Sequence, residues 1–163
     1  MTDKKLADLF HDTLKDIYFA ERQILKALPK LAKAAQSQEL KQAFLTHRDE
    51  TEHHVERLQQ VFEIFGKRAQ GKTCEAIKGI LEEGEQITEE YTGSEALDAG
   101  LVASAQAVEH YEMSRYGTLK TWAAQLGLKD AVALIDQTLQ EEKKTDDLLS
   151  RIAKSTLNTK AAA

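Results

Sequence analysis

The 163-residue chain has one cysteine, one proline, one tryptophan and eight glycines. A lone Cys74 excludes an intrachain disulfide and a thiolate zinc cluster, and it suits a reducing compartment. So few prolines and glycines leave little turn chemistry for a strand-rich fold and favour long helices. No apolar run reaches the roughly 20 residues of a membrane span. The opening MTDKKLADLF carries charges where a signal peptide needs an apolar core. We therefore expect a cytoplasmic protein that does not engage membranes. Neither charge sign dominates: 22 Lys and Arg stand against 27 Asp and Glu, a net charge of −5. The two signs interleave, so no basic face offers itself to nucleic acid, and a cationic ligand fits better. Phosphate loops, nucleophile elbows and zinc-protease motifs are likewise missing.

What the chain does have is helical periodicity. Leu6, Phe10, Leu14, Ile17, Ile24, Leu28 and Leu31 fall on one face of a helix over residues 4–34, which Pro29 should bend. The pattern restarts near Gln36–Glu39 and carries Leu40, Phe44, Leu58, Val61 and Phe65 to a stop at Gly66. Between Lys67 and Gly93 it shortens to a small helix with Ile77, Ile80 and Leu81, capped by Thr73 and weakened by Gly84, which reads as a crossover outside the core. A third long helix spans about 94–125 through Leu101, Ala105, Val108, Tyr116, Leu119 and Ala123, and Gly127 ends it. The fourth covers about 129–152 with Ile135, Leu139, Leu149 and Ile152. Two tight hairpins joined by a long connection predict an all-α, ferritin-like four-helix bundle with one long crossover containing a short fifth helix. The bundle should be one domain over residues 1–157, with 158–163 a flexible tail.

Each apolar stripe is interrupted near its middle by a metal-ligating residue type. Glu21 interrupts the first, His47, Glu50 and His54 the second, Glu109 and Glu112 the third, and Glu142 the fourth. Residues equidistant from a hairpin turn share a height in antiparallel helices. Glu21 and Glu50 lie 15 and 14 residues from Gln36, and Glu112 and Glu142 each lie 15 from Gly127. A lone glutamate at a stripe edge is ordinarily solvated or paired with lysine. Four helices with the same anomaly at one depth point elsewhere, because burying several carboxylates is prohibitive without cations to neutralise them. Two divalent ions do so. Oxygen ligands with one or two imidazoles suit iron first and manganese second.

The segments YFAERQ (18–23), HRDETEHHVERL (47–58), AQAVEHYEMSRYGTL (105–119) and LQEEKKTDDLL (139–149) resemble the YciE/YciF-type bacterial stress-response proteins, a ferritin-like family, over nearly the whole chain. The resemblance implies a di-metal bundle that is usually dimeric. The general ferritin-like plan draws one Glu from each of two helices and a Glu-x-x-His from each of the others. Here Glu50 and His53 have that spacing, yet His53 falls towards solvent while His54 lies near the stripe centre, so His54 is the favoured ligand. The fourth helix has no histidine, which leaves Glu142 to work with Asp146 one turn on. His47 reads equally as ligand, outer support or core residue, and Tyr18 either hydrogen-bonds a ligand or packs. His110, Glu141 and Cys74 receive no role.

The expected metal ligands are therefore Glu21, Glu50, His54, Glu109, Glu112, Glu142 and Asp146, holding two ions. They would make either an oxidoreductase that reacts with dioxygen or peroxide, or a structural, stress-protective dimer in which metal is a staple. An inert bundle with buried carboxylates is the remaining alternative. A homodimer through exposed apolar positions near Trp122 and Tyr116 is expected, whereas a mineral-storing cage is not. Residue types and spacing name neither substrate nor electron donor.

Overall fold

The computed structural model describes residues 3–163, and Met1 and Thr2 of the expected domain lie outside the described residues. Helix α1 (Leu6–Ala34) starts where the Asp8 carboxylate accepts the Lys5 N–H at 2.8 Å, and it continues through Pro29 to its end. Helix α2 (Gln38–Phe65) follows after three residues. Ser37 caps it, with its hydroxyl oxygen accepting the Leu40 N–H at 3.3 Å. A second cap comes from far along the chain: the Asp98 carboxylate accepts the N–H groups of Gln36 at 2.8 Å and Ser37 at 2.7 Å. These donors at a helix start have no intrahelical partner, and their position favours a negative charge. Gly66 ends α2 with φ 75°, a left-handed conformation that costs glycine nothing.

The crossover is more substantial than its short periodicity suggests. Helix α3 (Glu75–Tyr91) has 17 residues, packs against α4 and α1, and buries Ile77 and Cys74 in the common core. Its cap is Cys74 rather than Thr73, the thiol sulfur accepting the Ile77 N–H at 3.4 Å. Close approach to α4 requires Gly100, where an added Cβ would come within 2.6 Å of Ile87 Cγ2. Helix α4 (Leu97–Gln125) turns at Gly127, φ 74°, into α5 (Lys129–Ile152).

The four long helices pack in the cyclic order α1, α2, α5, α4. Asp98 brings the start of α4 to the α1–α2 turn, so α4 runs antiparallel to α1, and α5 antiparallel to both α2 and α4. That is the bundle with one long crossover. Beyond α5 the chain continues through a π-helical turn, Ala153–Leu157, into α6 (Asn158–Ala161). Buried Leu157 anchors this turn at the end of the core, so the segment expected to be a tail adopts helical backbone with Asn158, Thr159 and Lys160 exposed. No helix among the described residues is long and apolar enough to cross a membrane.

Candidate metal centre

The apolar core is continuous at both ends of the bundle and polar at its centre. Glu21, His54, Glu112 and Glu142 bring one ligating atom each within 4.8 Å of one another, and so do His47, Glu109, Glu112 and Glu142. Glu112 and Glu142 belong to both groups. Two ion-sized positions therefore share two carboxylates, and each has its own histidine and its own further glutamate. All six residues are buried, at 3% exposure or less.

The helical repeat explains this gathering. His47 and His54 are seven residues apart on α2, two turns along one face, and Glu109 and Glu112 are three apart on α4. Glu21 of α1 and Glu142 of α5 come from opposite sides of the bundle.

Eight buried ligating atoms lack a hydrogen-bond partner: Glu21 Oε2, His47 Nε2, His54 Nδ1, Glu109 Oε2, and both oxygens of Glu112 and of Glu142. His47 Nε2 lies 2.8 Å from Glu109 Oε1, and His54 Nδ1 lies 3.0 Å from Glu142 Oε1, close contacts without the alignment of a hydrogen bond. Orphaned polar atoms in a core are costly and rare. Here they converge on one volume, as a donor set able to hold metal ions.

The outward-facing atoms of the same residues are occupied. His54 Nε2 is 2.8 Å from Glu141 Oε2, and Glu141 is clamped by both Arg57 terminal nitrogens at 2.7 and 2.9 Å. His47 Nδ1 lies 3.5 Å from Glu50 Oε2 and 3.3 Å from the Thr145 hydroxyl. A carboxylate on the far ring nitrogen of a ligating histidine fixes its tautomer and aims the other nitrogen inward. The Tyr116 hydroxyl donates to Glu21 Oε1 at 2.7 Å, leaving Oε2 facing the centre.

The electrostatics show the strain of crowding these groups together. Burial and then the Glu142 charge push the Glu109 carboxyl well above its ordinary range, against the pull of His47. Burial, with Glu142 and Glu21 beside it, does the same to Glu112. Burial opposes charge on the two histidines, but the carboxylates prevail: His47 is held well above its usual value by Glu109, and His54 is raised to about 10 by Glu142 and Glu21. Burial likewise opposes charge on Glu142, yet Glu109 and the two histidines hold it well below the usual carboxylate range. Without cations, protons take their place.

The model of the domain of unknown function DUF892 matches residues 5–162. This chain belongs to the DUF892 family. Protein YciF of Escherichia coli strain K12 is 43% identical over 162 residues, 99% of this chain and 98% of that protein. The crystal structure of YciF, described as an E. coli stress protein, superposes with a TM-score of 0.91 at 42% identity, covering 95% of this chain and 98% of that one. YcfI of Rhodopseudomonas palustris, described only as a candidate structural protein, gives a TM-score of 0.88 at 43% identity over 91% and 95% of the two chains. The YciE/YciF resemblance in the helical segments is thereby established.

Of the seven expected ligands in this DUF892 chain, the structure gathers Glu21, His54, Glu109, Glu112 and Glu142. Glu50 and Asp146 stand outside both groups. Glu50 lies at the edge of the α2 stripe and reaches only the outer nitrogen of His47 and the Thr145 hydroxyl, so it does not face Glu21 across the bundle. Asp146 lies on the α4-facing flank of α5 and accepts hydrogen bonds from Gln106 and His110 at 3.1 Å. The donor that the histidine-free α5 lacks comes instead from His47 on α2. His53 is exposed and pairs with Glu56, whereas His54 has no exposed surface.

Glu141, given no role in the sequence, holds His54 from the opposite flank of the α5 stripe. Its position beside Glu142 and the nearby Arg57 on α2 were the only available signals. Tyr18 accepts from Gln59 and packs edge-on to Phe62, and the phenol that meets a cluster carboxylate is Tyr116. Tyr116 itself is buried, at 1% exposure.

Proposed function

We propose that this protein binds two divalent ions, iron or manganese, between Glu112 and Glu142, and that the loaded centre is an oxidoreductase site for dioxygen or peroxide. The observation that carries the reading is the set of eight partnerless atoms on six buried residues, all facing one volume. Residues that only packed would have their polar atoms satisfied. Glu21 and His54 would hold one ion, Glu109 and His47 the other, with Glu112 and Glu142 shared. Such a pair, when bound, supplies one-electron redox steps and Lewis acidity.

The chain's own residues do the rest. Glu141 and Glu50 orient the imidazoles, Tyr116 keeps one oxygen of Glu21 turned away from the centre, and the surrounding apolar side chains exclude bulk water. Glu109 and Glu112, whose acidities are lowered by burial, give up protons as cations arrive.

Protein purified without chelator is expected to contain about two manganese or iron ions per chain. Saturation with manganous ion should raise the melting temperature by about 5 to 10 °C, the effect of binding at a hundred times Kd on a domain of this size. Metal-free protein that gains no thermal stability from either ion would sink the reading. A second reading, metal as a staple without turnover, is favoured by the description of YcfI. Anaerobic ferrous protein mixed with dioxygen decides between them, since a staple oxidises no faster than free ferrous ion.

A further inference from the structure

A cleft of about 700 Å³ opens on the surface between α1, α3 and α4. A second space of about 20 Å³ adjoins it, and the two share the lining residues Ala27, Leu31, Leu81, Ala105 and Val108. At its inner end the smaller space is lined by His47 and Glu109, the private ligand pair of one of the two ion positions. The rest of the lining is apolar, with Ile24, Leu28 and Phe44 completing it. The polar atoms lining the passage thus lie at its metal end, with those of His47, Glu109 and Thr145.

Neither of these two spaces is lined by His54 or Glu21 of the second position. His54 is closed off by Glu141 and Arg57, and Glu21 by Tyr116. The two halves of the centre are alike in ligands and unlike in access.

We propose that this passage delivers dioxygen to the His47–Glu109 side of the centre and excludes hydrogen peroxide and ions. This rests on the di-metal redox reading above and names its oxidant. A space of about 20 Å³ exceeds the roughly 10 to 15 Å³ that a single water needs, so it admits one small molecule somewhat larger than water. An apolar lining keeps such a space dry, because a hydrogen-bonding molecule entering it forfeits its bonds to water. Dioxygen forms no such bonds and loses nothing on entry. Hydrogen peroxide, with two hydroxyl groups, is disfavoured in the throat even though it would fit.

The side chain that sets the width from α3 is Leu81, which is only partly buried and belongs to the crossover helix rather than to the four-helix core. Ala105 sets it from α4. Neither residue belongs to the two ligand groups.

The test has two readouts. Metal-free protein under xenon pressure, followed by xenon-129 resonance or by diffraction, should bind one xenon atom between Leu31, Leu81 and Val108. Ala105→Leu and, as a variant less exposed to misfolding, Leu81→Phe should each abolish that site. Stopped-flow oxidation of ferrous-loaded protein by dioxygen should slow at least tenfold in both variants while iron content stays at the wild-type level. Oxidation by hydrogen peroxide should be slow in the wild type and change less than twofold.

Absence of xenon from the wild-type passage, or an unchanged dioxygen rate in a folded, iron-loaded variant, overturns the inference. Xenon in the passage of a protein that binds iron but never oxidises it overturns the redox reading, and with it the assignment of dioxygen. Failure of iron to bind at all overturns the metal reading separately.

Discussion

His54 shows how a single side chain is committed to one chemistry. Its Nε2 is held by Glu141, Glu141 is held by Arg57, and its Nδ1 is left among Glu21 and Glu142 with no hydrogen-bond partner. His53, one position earlier, points to solvent and pairs with Glu56. Metal content should therefore fall by about one ion per chain in His54→Ala and stay unchanged in His53→Ala. Equal losses would show that position on the stripe does not select the ligand. Glu141→Gln keeps the shape but weakens the hold on the imidazole, and it should cost about 10- to 100-fold in metal affinity, the usual consequence of losing an outer partner. Titration with manganous ion measures it. His54 was legible in the sequence because its distance from Leu40, Phe44 and Leu58 sets its direction. Glu50 and Asp146 fall outside both buried groups, and residue type and depth alone do not distinguish the centre of a stripe from its edge. At the edge, a neighbouring helix decides what a carboxylate meets, and that neighbour is unknown until the bundle is assembled.

The long helices were legible as elements because each buries one broad apolar face, and the left-handed glycines Gly66 and Gly127 stop α2 and α4 where expected. Helix α3 was only half legible. Its buried positions are few, and its close approach to α4 rests on Gly100, whose role shows only once Ile87 is packed against it. The tie between α4 and the α1–α2 turn through Asp98 left no sequence signal, because its partners are backbone N–H groups more than sixty residues away. Asp98→Ala should remove both hydrogen bonds and the favourable charge at the start of α2, costing about 1 to 3 kcal/mol. On a domain of this size that lowers the melting temperature by roughly 2 to 10 °C. Metal stoichiometry should be unaffected, since Asp98 lies at the end of the bundle and the centre at its middle. A variant that melts with the wild type would show that the end of the bundle is held by packing alone.

At the scale of the whole molecule, the centre couples stability, metal and pH with a defined sign. In metal-free protein, Glu109 and Glu112 have raised folded-state pKa values, so their protonation stabilises the fold at low pH and that contribution is lost as pH rises above about 4.5 towards those values. His54, raised to about 10, and His47, raised well above 6.5, act in the same direction: their contribution is complete below 6.5 and is lost as pH rises through the folded values. Glu142, held low, acts oppositely, contributing above 4.5 and losing that contribution as pH falls through its depressed folded value. Between pH 6.5 and 8.5 the contribution of His54, whose folded value is about 10, falls as pH increases, and the raised Glu109, Glu112 and His47 act with the same sign. Divalent ions reverse the dependence, because ligands must be deprotonated to bind and proton competition weakens as pH rises. The melting temperature of metal-free protein should therefore fall from pH 6.5 to 8.5, and the gap between manganese-saturated and metal-free protein should widen over the same range. Calorimetry of both forms at several pH values measures that gap directly. A gap that stays constant or narrows would mean that the ions bind away from these six residues, since only at this centre do protons and cations compete for the same buried atoms.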